Sequence, residues 1–102
     1  MKQFKNKETE MKGVDESKNL YNLCYSDILK QAINQAPQGG YTPEDMAVRF
    51  KLMNLLDKVK PGANVDVEDS DMIKLKSIAS EFRGFYSVSK DANDFYEYFS
   101  NI

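Results

Sequence analysis

Histidine is absent from this sequence, and cysteine occurs once, at position 24. The first absence removes the commonest general base and the commonest transition-metal ligand, so neither a Ser-His-Asp nor a Cys-His nucleophile can be assembled. The second leaves too few thiolates for a zinc site and forbids an internal disulfide, which fits a reducing compartment. Cys24 reads as a small core residue. No apolar run approaches the roughly 18 residues needed to span a bilayer, and the lysine-rich first segment has no apolar stretch behind it. The expectation is therefore a cytoplasmic protein with neither leader nor anchor. Gly39-Gly40 lacks the following lysine and preceding apolar strand of a phosphate loop.

What is present is enough for one core. The hydrophobic share of 41% and aromatic share of 12% are those of a folding chain, and 102 residues leave little room for a second domain. The net charge of −2 is too small to steer nucleic acid. The charge is nevertheless uneven: Lys2, Lys5, Lys7 and Lys12 crowd the first segment, whereas eight acids face four bases from Asp66 onward. Residues 1–15 carry few apolar groups and no regular spacing, which predicts a flexible basic arm. That arm is either a disordered tail or a segment ordered by a neighbour through Phe4 and Met11. The domain proper is expected over residues 16–102.

Within it the periodicity predicts four helices and a mainly α fold, a compact four-helix bundle. The first runs from Ser17 to about Ala36, with Leu20, Leu23, Cys24, Ile28 and Ala32 inward and Asp15, Glu16 and Ser17 at its start. Tyr21, Tyr25, Leu29 and Ile33 form a second apolar stripe beside it, which calls for a homo-oligomer to cover it. Thr42-Pro43-Glu44-Asp45 opens the second helix, whose expected buried face is Met46, Phe50, Met53, Leu56 and Val59. The third begins at Glu68-Asp69 and buries Met72, Leu75, Ile78, Ala79 and Phe82, with Gly84 as a left-handed cap beyond its end. Ser89 caps the fourth, which turns Ala92, Phe95, Phe99 and Ile102 to one side. Val65–Val67 and Phe85–Val88 look extended and are placed opposite one another as a short two-stranded pairing, residues 65–67 with 85–88.

Three constellations bear on chemistry. The run Asp66 to Asp71 lacks the glycine and the distal glutamate of a calcium loop, so its acids read as complements to a helix dipole. The remaining carboxylates lie at helix starts and on polar faces, with nothing in the sequence to set a pair in an apolar cleft, and no enzyme activity is expected. Arg49, Lys76, Arg83, Phe85 and Tyr86 can assemble a ligand-binding patch of cationic and aromatic surfaces suited to an anion or nucleotide. No metal or cofactor is expected.

From Tyr41 to Ile102 the order is Met46-x-x-Arg49 into Leu55-Leu56, then Val65-x-Val67-Glu68-Asp69-x-Asp71 into Leu75-Lys76, an aromatic turn and a short closing helix. This layout resembles small uncharacterised helical proteins encoded by bacteriophages. The resemblance implies a non-catalytic binding protein acting in the host cell, such as a counter-defence inhibitor that blocks a host protein or sequesters a nucleotide-like signal. The alternative it implies is a virion structural or assembly protein, docking on a phage protein through the basic arm and the second stripe of the first helix.

Overall fold

A computed structural model describes residues 2–102 as an α+β fold rather than a helical bundle. Strands β1 (Lys2–Lys5), β2 (Glu8–Val14) and β3 (Leu20–Cys24) precede α1 (Tyr25–Ile33) and α2 (Pro43–Leu56). Strand β4 (Asn64–Val67), α3 (Asp69–Glu81) and α4 (Lys90–Asn101) follow. The strands form two antiparallel pairs, β1 with β4 and β2 with β3.

The expected flexible arm is thus β1 and β2. One side chain accounts for much of this: Phe4 is 1% exposed, packs its ring against Phe99 at 5.5 Å, and stands opposite Val65 in the ladder. Val65–Val67 is extended as expected, but its partner is β1 and not residues 85–88, which form no strand. Alternation sets the outcome, because β4 offers Val65 and Val67 inward and Phe4 on β1 adds a third apolar group to that face.

The expected first helix is shorter and begins eight residues later. Asp15, Glu16 and Ser17 build the hairpin turn between β2 and β3 instead of a helix cap: Lys18 N–H donates to the Asp15 carbonyl, Asn19 N–H to its carboxylate, and Lys18 takes φ 63. Gly13 lies opposite Tyr21, where a Cβ would meet the Leu23 and Tyr21 side chains at 2.7 and 2.8 Å. Register slips between Glu8 and Lys12, and there the buried Thr9 hydroxyl donates to the Leu23 carbonyl and accepts from Met11 N–H. The chain turns from β3 into α1 at Cys24, whose N–H is held by the Asp27 carboxylate at 2.9 Å. The helical part of both stripes is consumed at once: Tyr25, Ile28, Leu29, Ala32 and Ile33 are all within 3% of full burial, whereas Leu20 and Tyr21 on β3 are exposed. Of the stripe expected to need an oligomer, Tyr25, Leu29 and Ile33 are core, while Tyr21, on β3, is 41% exposed.

Helix α2 starts where its Thr42 cap and Pro43 place it, with the Thr42 hydroxyl accepting from Asp45 N–H. Its buried face differs from expectation. Arg49, Leu52 and Leu56 are inward, while Met46 is 50% and Phe50 67% exposed. Apolar groups wind around this helix, so pattern alone cannot choose a face; the Arg49 guanidinium, bonded to the end of α1, orients it. Helices α3 and α4 bury the residues their spacing indicates, and Ser89 caps α4 through Ala92 N–H. Gly84 is not left-handed: the Phe82 ring packs where its Cβ would stand.

Asn6, fully buried, joins the two sheets to α1. Its backbone pairs with Ala63 and Gly62, its side-chain amide donates to the Lys60 carbonyl at 3.1 Å, and its side-chain carbonyl accepts from Ser26 N–H at 2.7 Å. The Lys60–Ala63 turn it grips places Pro61 and a left-handed Gly62, φ 76, at its two central positions. Asn6→Ala leaves the buried Ser26 N–H unpaired and the Lys60 carbonyl with Ala63 N–H alone, and is expected to destabilise the fold by about 1 to 3 kcal/mol in denaturant titration. The near-isosteric Asn6→Asp turns the donor facing Lys60 into an acceptor and should lose at least as much at neutral pH. Cys24 is 3% exposed, and burial, then Asp27 and Glu8, push its thiol up from 9.0. Iodoacetamide at pH 8 should therefore label it only after denaturation, which mass spectrometry reads directly.

Candidate functional site

Two of the five residues expected to form one binding patch share a cleft. Arg49 and Arg83 line a cavity of about 530 Å³ with Gln35, Gln38, Ile78 and Glu81, at the place where the ends of α1 and α3 meet α2. The other three lie elsewhere. Lys76 donates to the Ile102 carbonyl at 2.9 Å and borders a separate depression beside Tyr96 and Phe99. Phe85 is packed edge to face against Phe82, Phe95 and Tyr96. Tyr86 is 99% exposed. The single patch is corrected to a two-arginine cleft because the aromatic turn after α3 spends Phe85 on the core, which turns its neighbour outward.

Arg49 is placed by structural work. Its Nη1 donates to the Ile33 carbonyl at 2.8 Å, so a cation satisfies one of the last carbonyls of α1, and Tyr41 O–H donates to the same oxygen at 3.3 Å. The Arg49 Nε donates to Asp45 at 2.9 Å, one turn earlier on α2, and the other Asp45 oxygen meets Lys74 of α3 at 2.8 Å. The Tyr41 ring lies 5.1 Å beneath the guanidinium. The Lys74 ammonium first, and Arg49 after it, hold the Asp45 carboxyl below its ordinary 3.8 against a burial that pushes it up. This leaves Arg49 rigid, with Nη2 making no hydrogen bond among the described residues. Arg83 reaches the cleft from the strand-like exit of α3, its N–H held by the Gln35 side chain at 3.0 Å.

A concavity larger than this cleft is one that sequence reasoning missed. A groove of about 1150 Å³ runs between β2 and α4, floored by Tyr25 and Tyr98 and walled by Glu8, Glu10, Asp91, Asp94 and Glu97. No pair of carboxylates in an apolar cleft is expected from the sequence, and this groove is of another kind, open and with five carboxylates along its walls. Half of the signal was present, since Asp91, Asp94, Tyr98 and Asn101 recur at helical spacing on one face of α4. The other half is β2, which lay in the segment read as an arm.

The acids at the start of α3 are otherwise engaged: Asp71 pairs with Lys51 at 3.1 Å and Asp66 accepts from Gln3 at 2.6 Å. Among the described residues no group of three or more Cys, Asp or Glu side chains is arranged to hold a metal ion. None of their helices is long and apolar enough to cross a membrane. No protein family, curated protein or solved structure matches this chain.

A carboxylate depressed in the folded state stabilises it above the unfolded pKa and loses that contribution as pH falls through the folded one. The stability gap between the wild type and Asp45→Asn should accordingly be widest near neutrality and close as pH is lowered from about 5 toward 2. Urea midpoints measured across that range check the direction.

Proposed function

We propose that the chain is a non-catalytic binding protein, of the kind small phage genes supply to act on a host, and that it holds a nucleotide-like anion in the Arg49–Arg83 cleft. The observation that carries this reading is that two arginines 34 positions apart in sequence line one cavity of about 530 Å³. A ligand of mononucleotide size fits such a volume. The guanidinium of Arg49 is already oriented, so a phosphate would meet a donor that need not be ordered on binding. Gln35 and Gln38 add neutral hydrogen-bonding groups suited to a base or a ribose. Glu81 on the rim disfavours a highly charged polyphosphate and favours a mono- or cyclic phosphate.

Binding rather than catalysis is supported by the chemistry available. There is no histidine, and the one thiol is buried with its pKa pushed up. The assembly reading drew on a free basic arm and a spare stripe on the first helix; β1 and β2 take up the arm, and the buried face of α1 takes up the stripe except for Tyr21.

A thermal-shift titration with cyclic mononucleotides, cyclic dinucleotides and ADP-ribose tests the cleft. A ligand at a hundred times its Kd should stabilise the fold by about 2.7 kcal/mol, a shift of several degrees for a domain of this size. Arg83→Ala, whose side chain makes no packing contact on which the core depends, should abolish the shift without lowering the ligand-free midpoint. No shift with any of these at millimolar concentration would refute the reading.

A further inference from the structure

The groove between β2 and α4 carries a second inference, independent of the arginine cleft. Its charge is one-sided. Five carboxylates face two lysines, and of those carboxylates Glu10 and Glu97 form no ion pair among the described residues. Asp94 is paired with Lys90, but that lysine is 89% exposed and its hold is weakened by solvent. Asp91 spends one oxygen on Glu10 N–H at 3.1 Å, which ties the strand wall to the helix wall and keeps the groove in shape.

The floor supplies the observation that the acids alone do not. Tyr25 is 3% exposed, its ring clamped by Phe95, Tyr98 and Phe99 at 5.4 to 5.8 Å. It is nonetheless part of the groove lining, and its hydroxyl has no hydrogen-bond partner among the described residues. The hydroxyl is not sealed in the core but opens onto the groove, which leaves it available as a hydrogen-bond acceptor there. Asp94 and Asp91 stand near enough to this hydroxyl to push its pKa up further after burial has done so, which places it toward the acidic walls. Beside it, the ammonium of Lys7 sits 4.6 Å from the centre of the Tyr98 ring. The chain itself thus demonstrates that this floor accepts an ammonium group on an aromatic face.

We propose that the groove binds a lysine- or arginine-rich peptide segment of a partner protein, with the Tyr25 hydroxyl accepting a hydrogen bond from one cationic side chain while Glu10 and Glu97 pair with its neighbours. The dimensions favour an extended peptide over a compact amine. The cavity is larger than most small-molecule pockets and lies along a strand and a helix, so several side chains can be engaged in series. The resulting complex is steered by opposite charge and loosens as salt rises.

Fluorescence anisotropy with a labelled peptide of about six alternating lysine and serine residues tests this. Saturable binding is expected, with Tyr25→Phe weakening it about tenfold, as loss of a hydrogen bond to a charged group implies. Glu97→Gln should weaken it several-fold, whereas Glu44→Gln, an exposed acid on α2 outside the groove, should leave it unchanged. Thermal melts of each variant confirm that the fold is retained. The proposal is overturned if Tyr25→Phe binds like the wild type or if Glu44→Gln weakens binding as much as Glu97→Gln. Displacement of the peptide by spermine at equal charge concentration would overturn it too, assigning the groove to small amines.

Discussion

The side chain of Asn6 is the point on which the rest of the architecture depends. A buried amide can donate twice and accept through its carbonyl, and here one donor and the carbonyl are spent on two separate parts of the chain, the turn before β4 and the first turn of α1, from a residue that stands between β1 and β2. In a core of low polarity each such bond is directional and hard to replace, so the two small sheets are held at fixed positions against the central helix. Isolated two-stranded ladders are marginal in water. They persist here because Asn6 and Phe4 join them to a common core.

A similar economy governs the charged residues. Arg49 closes the C-terminal end of α1, ties back to Asp45 and through it to Lys74, so one ion cluster links α1, α2 and α3. Because the guanidinium is committed on one side and open on the other, the device that orients α2 also presents a donor to the cleft. In the groove Asp91 plays a matching part, holding β2 against α4 with one oxygen while the rest of that helix face stays available. Both concavities are therefore by-products of how the elements are joined, and their walls are as rigid as the joints. The arginines of the one and the acids of the other differ in charge, as do the two partners proposed for them, a small anion and a basic protein segment.

The legible part of the sequence was its helix punctuation. Thr42-Pro43 and Ser89 mark the starts of α2 and α4 because a cap acts within three residues of itself. The inward sets of α3 and α4 followed from spacing because each has only one apolar face. The segment from Leu20 to Cys24 failed for a stated reason: its apolar residues happen to continue the period of α1, so a strand and a helix in succession read as one longer helix. On α2 the apolar residues surround the axis, and the face was chosen by Arg49, a residue whose type suggests solvent.

By itself, then, the sequence determined what chemistry is unavailable and where three of the four helices run, since composition and capping are local properties. Tertiary structure alone decided that Lys2–Lys5 and Asn64–Val67 form a sheet, that Arg49 and Arg83 meet, and that the acids of α4 face those of β2. Those partners lie far apart in sequence, 81 positions in the bond from Glu10 N–H to Asp91. A single strand carries no mark of its mate, because alternation specifies which face is buried but not which distant edge supplies the hydrogen bonds.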